Sequence, residues 1–181
     1  NNITVMTTTT NYAIHPYFSY GNLIENNTLI IGNLTSYGVN NYGIFDENGD
    51  MNILRNNNIY MYQTNVSAGI LLRAINSNVT NNYVFANSTG RSLSTSAGIK
   101  TDDVARNNYF NNNTVNIIGD SVLFHGIFLE TNVTNNFFYN NNVTTYANNS
   151  YGFLLDTNVY YNVFSNNTVI TYGNFSNGFH L

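Results

Sequence analysis

One sequence motif returns along the chain at intervals of 26 to 30 residues. It centres on a glycine followed by Ile or Phe, and the copies lie at Gly43, Gly69, Gly98, Gly126, Gly152 and Gly178, with Ala13 in a degenerate first copy. The two best copies, GIFLETNVTNNFFYNNNVTTY and GFLLDTNVYYNVFSNNTVITY, align without a gap. A fixed period of this size is typical of solenoids, in which each repeat buries its apolar side chains against its neighbours. These positions are called the repeat glycines below.

The residue types within the repeat favour strands over helices. Asn, Thr, Val, Ile, Tyr and Phe dominate, whereas strong helix formers are few. The residue after the repeat glycine is Ile or Phe in all seven copies, and the third residue is Leu in four. The fourth residue is charged in five copies: Glu47, Arg73, Asp102, Glu130 and Asp156. This alternation predicts a strand whose first and third residues face inward and whose second and fourth face outward.

Asparagine marks the corners between the predicted strands. The chain has 40 Asn among 181 residues. They recur ten and fourteen residues after the repeat glycine, at Asn108, Asn136 and Asn162 and at Asn112, Asn140 and Asn166. Asn tolerates unusual backbone angles and bonds turn amides, so these columns predict stacked corners. An outward Asn face that binds ice or a glycan is the alternative interpretation.

The repeats resemble the Asn-rich, NosD-like coils of the pectin-lyase-like superfamily, whose pattern is Gly-Ile-x-Leu followed by Asn-x-Phe-x-x-Asn. The resemblance covers nearly the whole chain. It implies an all-β fold, a right-handed parallel β-helix of about six coils of 26–30 residues, in a single domain over residues 1–181. It implies little about function, because the superfamily includes polysaccharide lyases and hydrolases, tailspikes, adhesins and surface-layer proteins.

Composition excludes several partners. The formal net charge is -4 with only five Lys and Arg, so the chain lacks the basic surface that nucleic-acid binding needs. Its apolar stretches are only a few residues long, far below the roughly 20 residues that span a bilayer. Cysteine is absent, which excludes disulfides and thiolate metal sites.

Because the chain starts and stops partway through a repeat, we expect a fragment of a larger β-helix or a unit that self-associates end to end.

The charged fourth residues are the candidates for chemistry. Asp102, Glu130 and Asp156 would stack on consecutive coils at about 5 Å. Repulsion between them raises a pKa or attracts a cation, so Ca²⁺ is the one cofactor that the column suggests. Two carboxylates at this spacing could instead act as acid and nucleophile in a retaining glycosidase. The remaining interpretation is a solvated strand end without a function.

The second residue after the repeat glycine predicts an interface. Phe45 and Leu71 form one apolar pair on the outward side, and Phe128 and Leu154 form another. An exposed apolar stripe would be a docking surface, whereas the alternative is that another segment of the same chain covers it. Tyr37, Tyr146 and Tyr172 share another position and predict a column of rings.

Sequons are the remaining dense signal, with twelve Asn-x-Ser/Thr sites in the chain. Three of them lie four residues before a repeat glycine, at Asn65, Asn148 and Asn174, and are the predicted glycosylation sites. Together these features predict a secreted or cell-surface structural protein, such as a surface-layer, adhesin or filament subunit, that self-associates or attaches through its faces and needs no catalysis. The alternative is a glycan-active or glycan-binding β-helix that uses the acidic column.

Overall fold

The computed structural model describes residues 1–6, 11–32, 40–62, 66–88, 96–119 and 123–181. These ranges contain twenty strands in three sheets, and every pairing between named strands is parallel. The first sheet comprises β1 (Asn2–Met6), β4 (Thr28–Gly32), β7 (Asn58–Tyr62), β10 (Tyr83–Ser88), β13 (Thr114–Gly119), β16 (Asn142–Thr145) and β19 (Thr168–Thr171).

The chain visits the three sheets in turn, so each coil contributes one strand to each sheet. The second sheet comprises β2 (Asn11–Ile14), β5 (Asn40–Asp50), β8 (Val66–Ile75), β11 (Ser96–Thr101), β14 (Phe124–Leu129), β17 (Phe153–Leu155) and β20 (Phe179–His180). The third comprises β3 (Leu23–Glu25), β6 (Ile53–Arg55), β9 (Asn78–Thr80), β12 (Tyr109–Asn111), β15 (Phe137–Tyr139) and β18 (Val163–Ser165). The predicted all-β parallel solenoid is confirmed, and its number of coils agrees with the predicted six to within one.

Equivalent residues of successive coils stack in columns through the core. Ile99, which follows a repeat glycine, pairs with Ile70 on one side and Ile127 on the other, and all three are fully buried. Rings from the third sheet stack in the same way, with centroids 4.5 Å apart between Phe110 and Phe138. The predicted inward positions therefore form a continuous apolar core.

The repeat glycines allow the first two sheets to approach closely. A Cβ atom added to Gly126 would lie 2.6 Å from the carbonyl oxygen of Gly152 and would overlap the side chain of Val143 in the first sheet. The other interior repeat glycines meet the same two kinds of neighbour. Only glycine fits at these interior positions.

Two buried ladders of polar side chains run along the corners. In the ladder that precedes the first sheet, each Asn Nδ2 donates to the Oδ1 of the next Asn at 2.9–3.1 Å. Its members are Asn1, Asn27, Asn57, Asn82, Asn113, Asn141 and Asn167. The ladder that precedes the third sheet contains Asn22, Asn52, Ser77, Asn108, Asn136 and Asn162.

Both predicted Asn columns lie at corners, but only one of them belongs to a buried ladder. The predicted Asn108, Asn136 and Asn162 belong to a ladder. By contrast, Asn112, Asn140 and Asn166 are exposed and adopt positive φ angles of 54–56°, and the ladder residue is the Asn that follows each of them. Asn accepts this left-handed conformation more readily than other side chains, so the first Asn of each pair turns the chain and the second stacks inside.

Candidate functional site

Two columns of side chains cover the outer face of the second sheet. One column is formed by the residues just before the repeat glycine: Tyr12, Tyr42, Ala68, Ala97, His125 and Tyr151. The other is formed by the second residue after it: His15, Phe45, Leu71, Lys100, Phe128, Leu154 and His180. The columns are adjacent, since their rings contact one another, as between Tyr12 and His15 with centroids 4.4 Å apart.

The predicted interface residues belong to this face but do not form an exposed surface. Phe45, Leu71 and Phe128 are only 4%, 3% and 2% exposed, and Leu154 is half-buried. Phe45 and Leu71 form a small apolar cluster with Ala68, outside the main core. The prediction of an exposed docking stripe is therefore wrong for Phe45, Leu71 and Phe128. Alternation assigns a side chain to a face of the sheet but does not reveal what covers that face.

Cations cover part of this face. The guanidinium of Arg73 lies 5.5 Å from the centre of the Phe45 ring, and the ammonium of Lys100 lies 5.3 Å from that of Phe128. Such placement is favourable because the ring face is electron-rich. The outer face of the second sheet thus has a packed aromatic interior with charges above it.

The charged column consists of ion pairs between neighbouring coils. Arg73 Nε donates to Asp102 Oδ2 at 2.8 Å, and Lys100 Nζ lies 2.8 Å from Glu130 Oε2. Asp156 is exposed, and its Oδ1 accepts from the backbone N–H of Thr157. The predicted column of like charges is thus divided, with two of its three carboxylates held by cations.

This pairing determines what the acidic column can do. Burial raises the pKa of Glu130, with Asp102 acting in the same direction and Lys100 opposing both. Within the described ranges, no three His, Asp or Glu side chains form a group that could hold a metal ion. Asp102, Glu130 and Asp156 therefore do not assemble into the calcium site that the sequence suggested.

His125 is the most deeply buried titratable ring of the second sheet's outer face. It is 1% exposed, and its Nδ1 accepts from the backbone N–H of Tyr151 at 3.0 Å, while Nε2 has no partner. Its ring stacks on Tyr151, which stacks in turn on His180. Burial lowers the pKa of His125 to about 4, so the imidazole is neutral at pH 7.

Asp46 is a buried carboxylate that the repeat pattern did not single out. It occupies the inward third position, where the later coils have Leu or Thr, and it is fully buried. Both of its oxygens accept from Nδ2 of Asn52, at 3.0 and 3.1 Å. Burial raises the pKa of Asp46 to about 6, although the hydrogen bond to Asn52 opposes the shift. The signal in the sequence was the substitution of an acid in an apolar column.

The outer face of the first sheet has a different composition. None of its seven strands contains Asp, Glu, Lys, Arg or His. Its outward residues are mainly Thr, Asn, Ile, Tyr and Phe, and they are exposed or half-buried. Within the described ranges, the charged side chains all lie on the other two sheets or at their corners.

Four rings lie together at the centre of this face, and they are called the ring cluster below: Tyr60 and Tyr62 on β7 and Tyr83 and Phe85 on β10. Their centroids are 5.8–6.4 Å apart and their planes are tilted by 50–56°. Asn116 Nδ2 on β13 donates to the Tyr83 hydroxyl at 3.4 Å. Sequence reasoning missed this cluster because the repeat motif is centred on the second sheet.

Two further predictions concern the coil corners. Tyr146 and Tyr172 are exposed and stack with centroids 4.6 Å apart, as the ring column predicted, whereas Tyr37 lies outside the described residues. Asn148 and Asn174 are also exposed, and the backbone N–H of Asn174 donates to Asn148 Oδ1. Asn65 lies outside the described residues, and glycosylation at all three sequons stays a prediction.

Comparison with known proteins adds no family to this description. No family model, curated protein or solved structure matches the chain. In the parts of the chain that the structure describes, no helix is long and apolar enough to cross a membrane. The fold therefore defines the class, a parallel β-solenoid.

Proposed function

We propose that this chain is an extracellular structural protein, a surface-layer, adhesin or filament subunit, that assembles or attaches through the faces of its solenoid. The observation that carries the proposal is the uncharged outer face of the first sheet. Covering a face without charges avoids the cost of removing ions from water, so such a face suits contact with a partner. The exposed Ile and Tyr side chains on it add apolar area.

The interior supports a structural role. The ring stacks and both polar ladders run from coil to coil through the core, so each coil is held by its neighbours. A solenoid of this kind presents side chains at a regular spacing of about 4.8 Å along its axis. Regular columns on a stable rod are what a protein needs for repetitive assembly or for attachment to a repetitive surface.

The alternative, a glycan-active site at the acidic column, has weaker support. A retaining glycosidase needs one carboxylate free to attack and another free to donate a proton. Here Asp102 is held by Arg73, and Glu130 by Lys100. The NosD-like relationship, secretion and glycosylation at Asn65, Asn148 and Asn174 belong to the same proposal, and they rest on the repeat pattern and the sequons.

Electron microscopy combined with adsorption measurements tests the proposed role. We expect either ordered polymers or adsorption to films of cellulose, silica or lipid, measured with a quartz crystal microbalance. Placing charges on the first sheet by Asn116→Lys with Thr144→Lys should reduce whichever of the two is observed. The matched control, Thr80→Lys with Asn111→Lys, charges the third sheet and should have no effect.

Two results would overturn the proposal. One is a population of isolated rods that adsorb to none of the films. The other is cleavage of a polysaccharide that is abolished by Glu130→Gln, since that would assign the acidic column a catalytic role.

A further inference from the structure

The uncharged face has the chemistry of one class of partner. We propose that the outer face of the first sheet binds an uncharged polysaccharide, with the ring cluster at the centre of the site. This inference rests on the proposed attachment function and names the ligand of that face. Four features support it: the residue types, the geometry of the rings, the absence of charge and the size of the face.

The residue types match both sides of a sugar. A pyranose presents apolar C–H groups on its faces and hydroxyls around its edge. The rings of Tyr60, Tyr83 and Phe85 offer apolar surface, and Thr and Asn on the neighbouring strands offer donors and acceptors. Binding sites for small ligands commonly combine aromatic surface with a few polar groups in this way.

The ring geometry leaves apolar surface available to a ligand. On the third sheet, Tyr109 and Phe137 stack nearly parallel, at 13° with centroids 4.7 Å apart, so each covers a face of the other. In the ring cluster the planes are tilted by 50–56°, so the rings of a pair do not stack face to face. Because they are not paired in this way, the tilted rings keep ring faces for contact with the C–H groups of a sugar.

The absence of charge selects an uncharged polymer. Binding of an anionic polymer relies on Lys and Arg, and none is present in the seven strands of this sheet. Likewise, no carboxylate is present there to attract a basic partner. An uncharged polysaccharide, whose polar groups are hydroxyls, matches this face, whereas nucleic acids, acidic glycans and charged lipid surfaces do not.

The size of the face favours a chain over a second copy of the protein. Seven strands at about 4.8 Å span about 29 Å, and five residues per strand span about 13 Å, giving roughly 400 Å². A stable protein interface buries about 800 Å² on each partner. The outline of the face is about half that area, so it favours a narrow chain of several sugar units along the solenoid axis over a face-to-face dimer.

Affinity electrophoresis of the intact protein tests the proposal. Native gels would contain hydroxyethyl cellulose, glucomannan, galactomannan or arabinoxylan as uncharged probes, and alginate or polygalacturonate as acidic ones. We expect at least one uncharged polymer to retard the protein and both acidic polymers to leave its mobility unchanged.

Variants locate the binding site. Tyr60→Ser with Phe85→Ser should weaken retardation by about tenfold or more, which corresponds to the loss of a modest binding energy. The matched control, Tyr109→Ser with Phe137→Ser, removes one outward Tyr and one outward Phe from adjacent strands of the third sheet and should bind normally. Asn116→Asp removes no ring but adds a charge beside Tyr83, so it tests the same site if the ring variant does not fold.

The possible failures are distinguishable. Lack of retardation by all four uncharged polymers, or retardation unchanged in both Tyr60→Ser with Phe85→Ser and Asn116→Asp, would overturn the polysaccharide site. If the protein also forms polymers that these variants disrupt, the face is a self-association surface and the structural role stands. Isolated rods that bind no polymer and no film would overturn both proposals.

Discussion

The first and second sheets are built from the same coils, yet their outer faces are opposites. The second sheet has a packed interior of rings, with Arg73 and Lys100 above Phe45 and Phe128. The first sheet has no charged residue in its strands, and its rings remain accessible. Stacking of coils constrains the inward columns of both sheets equally. The difference between the two outer faces therefore carries the information about function.

The largest expected effect comes from the interior that both sheets share. Gly126→Ala would push a methyl group into Val143 of the first sheet and towards the Gly152 carbonyl. We expect a loss of about 3 kcal/mol or more in the free energy of unfolding, measured by urea denaturation, because the packed sheets cannot separate locally.

Gly178→Ala is the matched control for this variant. Its added Cβ would lie 3.7 Å from the nearest neighbour, in ordinary contact distance. We expect a change below about 1 kcal/mol. Equal effects of the two variants would show that close approach of the sheets is not the reason for the repeat glycine.

The next effect concerns the ladder that leads into the first sheet. Asn113→Ala removes the acceptor of two hydrogen bonds, one from the backbone N–H of Asn82 and one from its Nδ2, which keeps only its bond to the Leu54 carbonyl. We expect a loss of about 2 to 3 kcal/mol, since buried donors without acceptors are costly. Urea denaturation measures the change.

The adjacent Asn112 is the control for the ladder variant. It is exposed and has a φ of 56°, a conformation that glycine adopts without strain. Asn112→Gly should therefore change the stability by less than about 0.5 kcal/mol. If Asn112→Gly were the more harmful of the two, the assignment of turn and ladder roles within the Asn pair would be reversed.

The response to pH should come from the second sheet, where Asp46 and His125 are both buried. The folded pKa of Asp46, about 6, lies above that of an unfolded Asp, so stability falls as the pH rises from about 4 to 6. Asp46→Asn should remove this fall, which amounts to about 2 kcal/mol in the free energy of unfolding between pH 4 and 6. Urea denaturation across this pH range measures the slopes.

His125 should act in the opposite direction. Its folded pKa, about 4, lies below that of an unfolded His, so its contribution to stability is lost as the pH falls from about 6.5 to 4. His125→Gln should therefore make the protein less sensitive to acid, whereas Asp46→Asn should make it more so. Slopes that change in the same direction in both variants would contradict the assignment.

The repeat pattern predicts some of these features of the molecule and not others. The inward columns were predictable, because the residue after the repeat glycine is always Ile or Phe and the third residue is often Leu, whereas the fourth is usually charged. The ladder position of Asn113 was not predictable, because two consecutive Asn residues look the same in the sequence. Only the positive φ of Asn112 shows which of the two turns the chain and which joins the ladder. The burial of Phe45 and the ring cluster at Tyr60 were not predictable, since both depend on which segments of different coils and sheets lie side by side.

The smallest expected effect concerns the ion pairs beside the second sheet, which the first sheet lacks. Lys100→Met removes the ion pair with Glu130, and both side chains of that pair are partly exposed. We expect a loss of about 0.5 kcal/mol in low salt that shrinks towards zero near 1 M salt, because solvent and ions screen such pairs. Tyr60→Ser on the first sheet should show no such salt dependence. A large loss in the free energy of unfolding that persists in high salt would contradict this expectation. It would mean that Lys100 holds the Phe128 ring in place, so that the outer face of the second sheet contributes to stability.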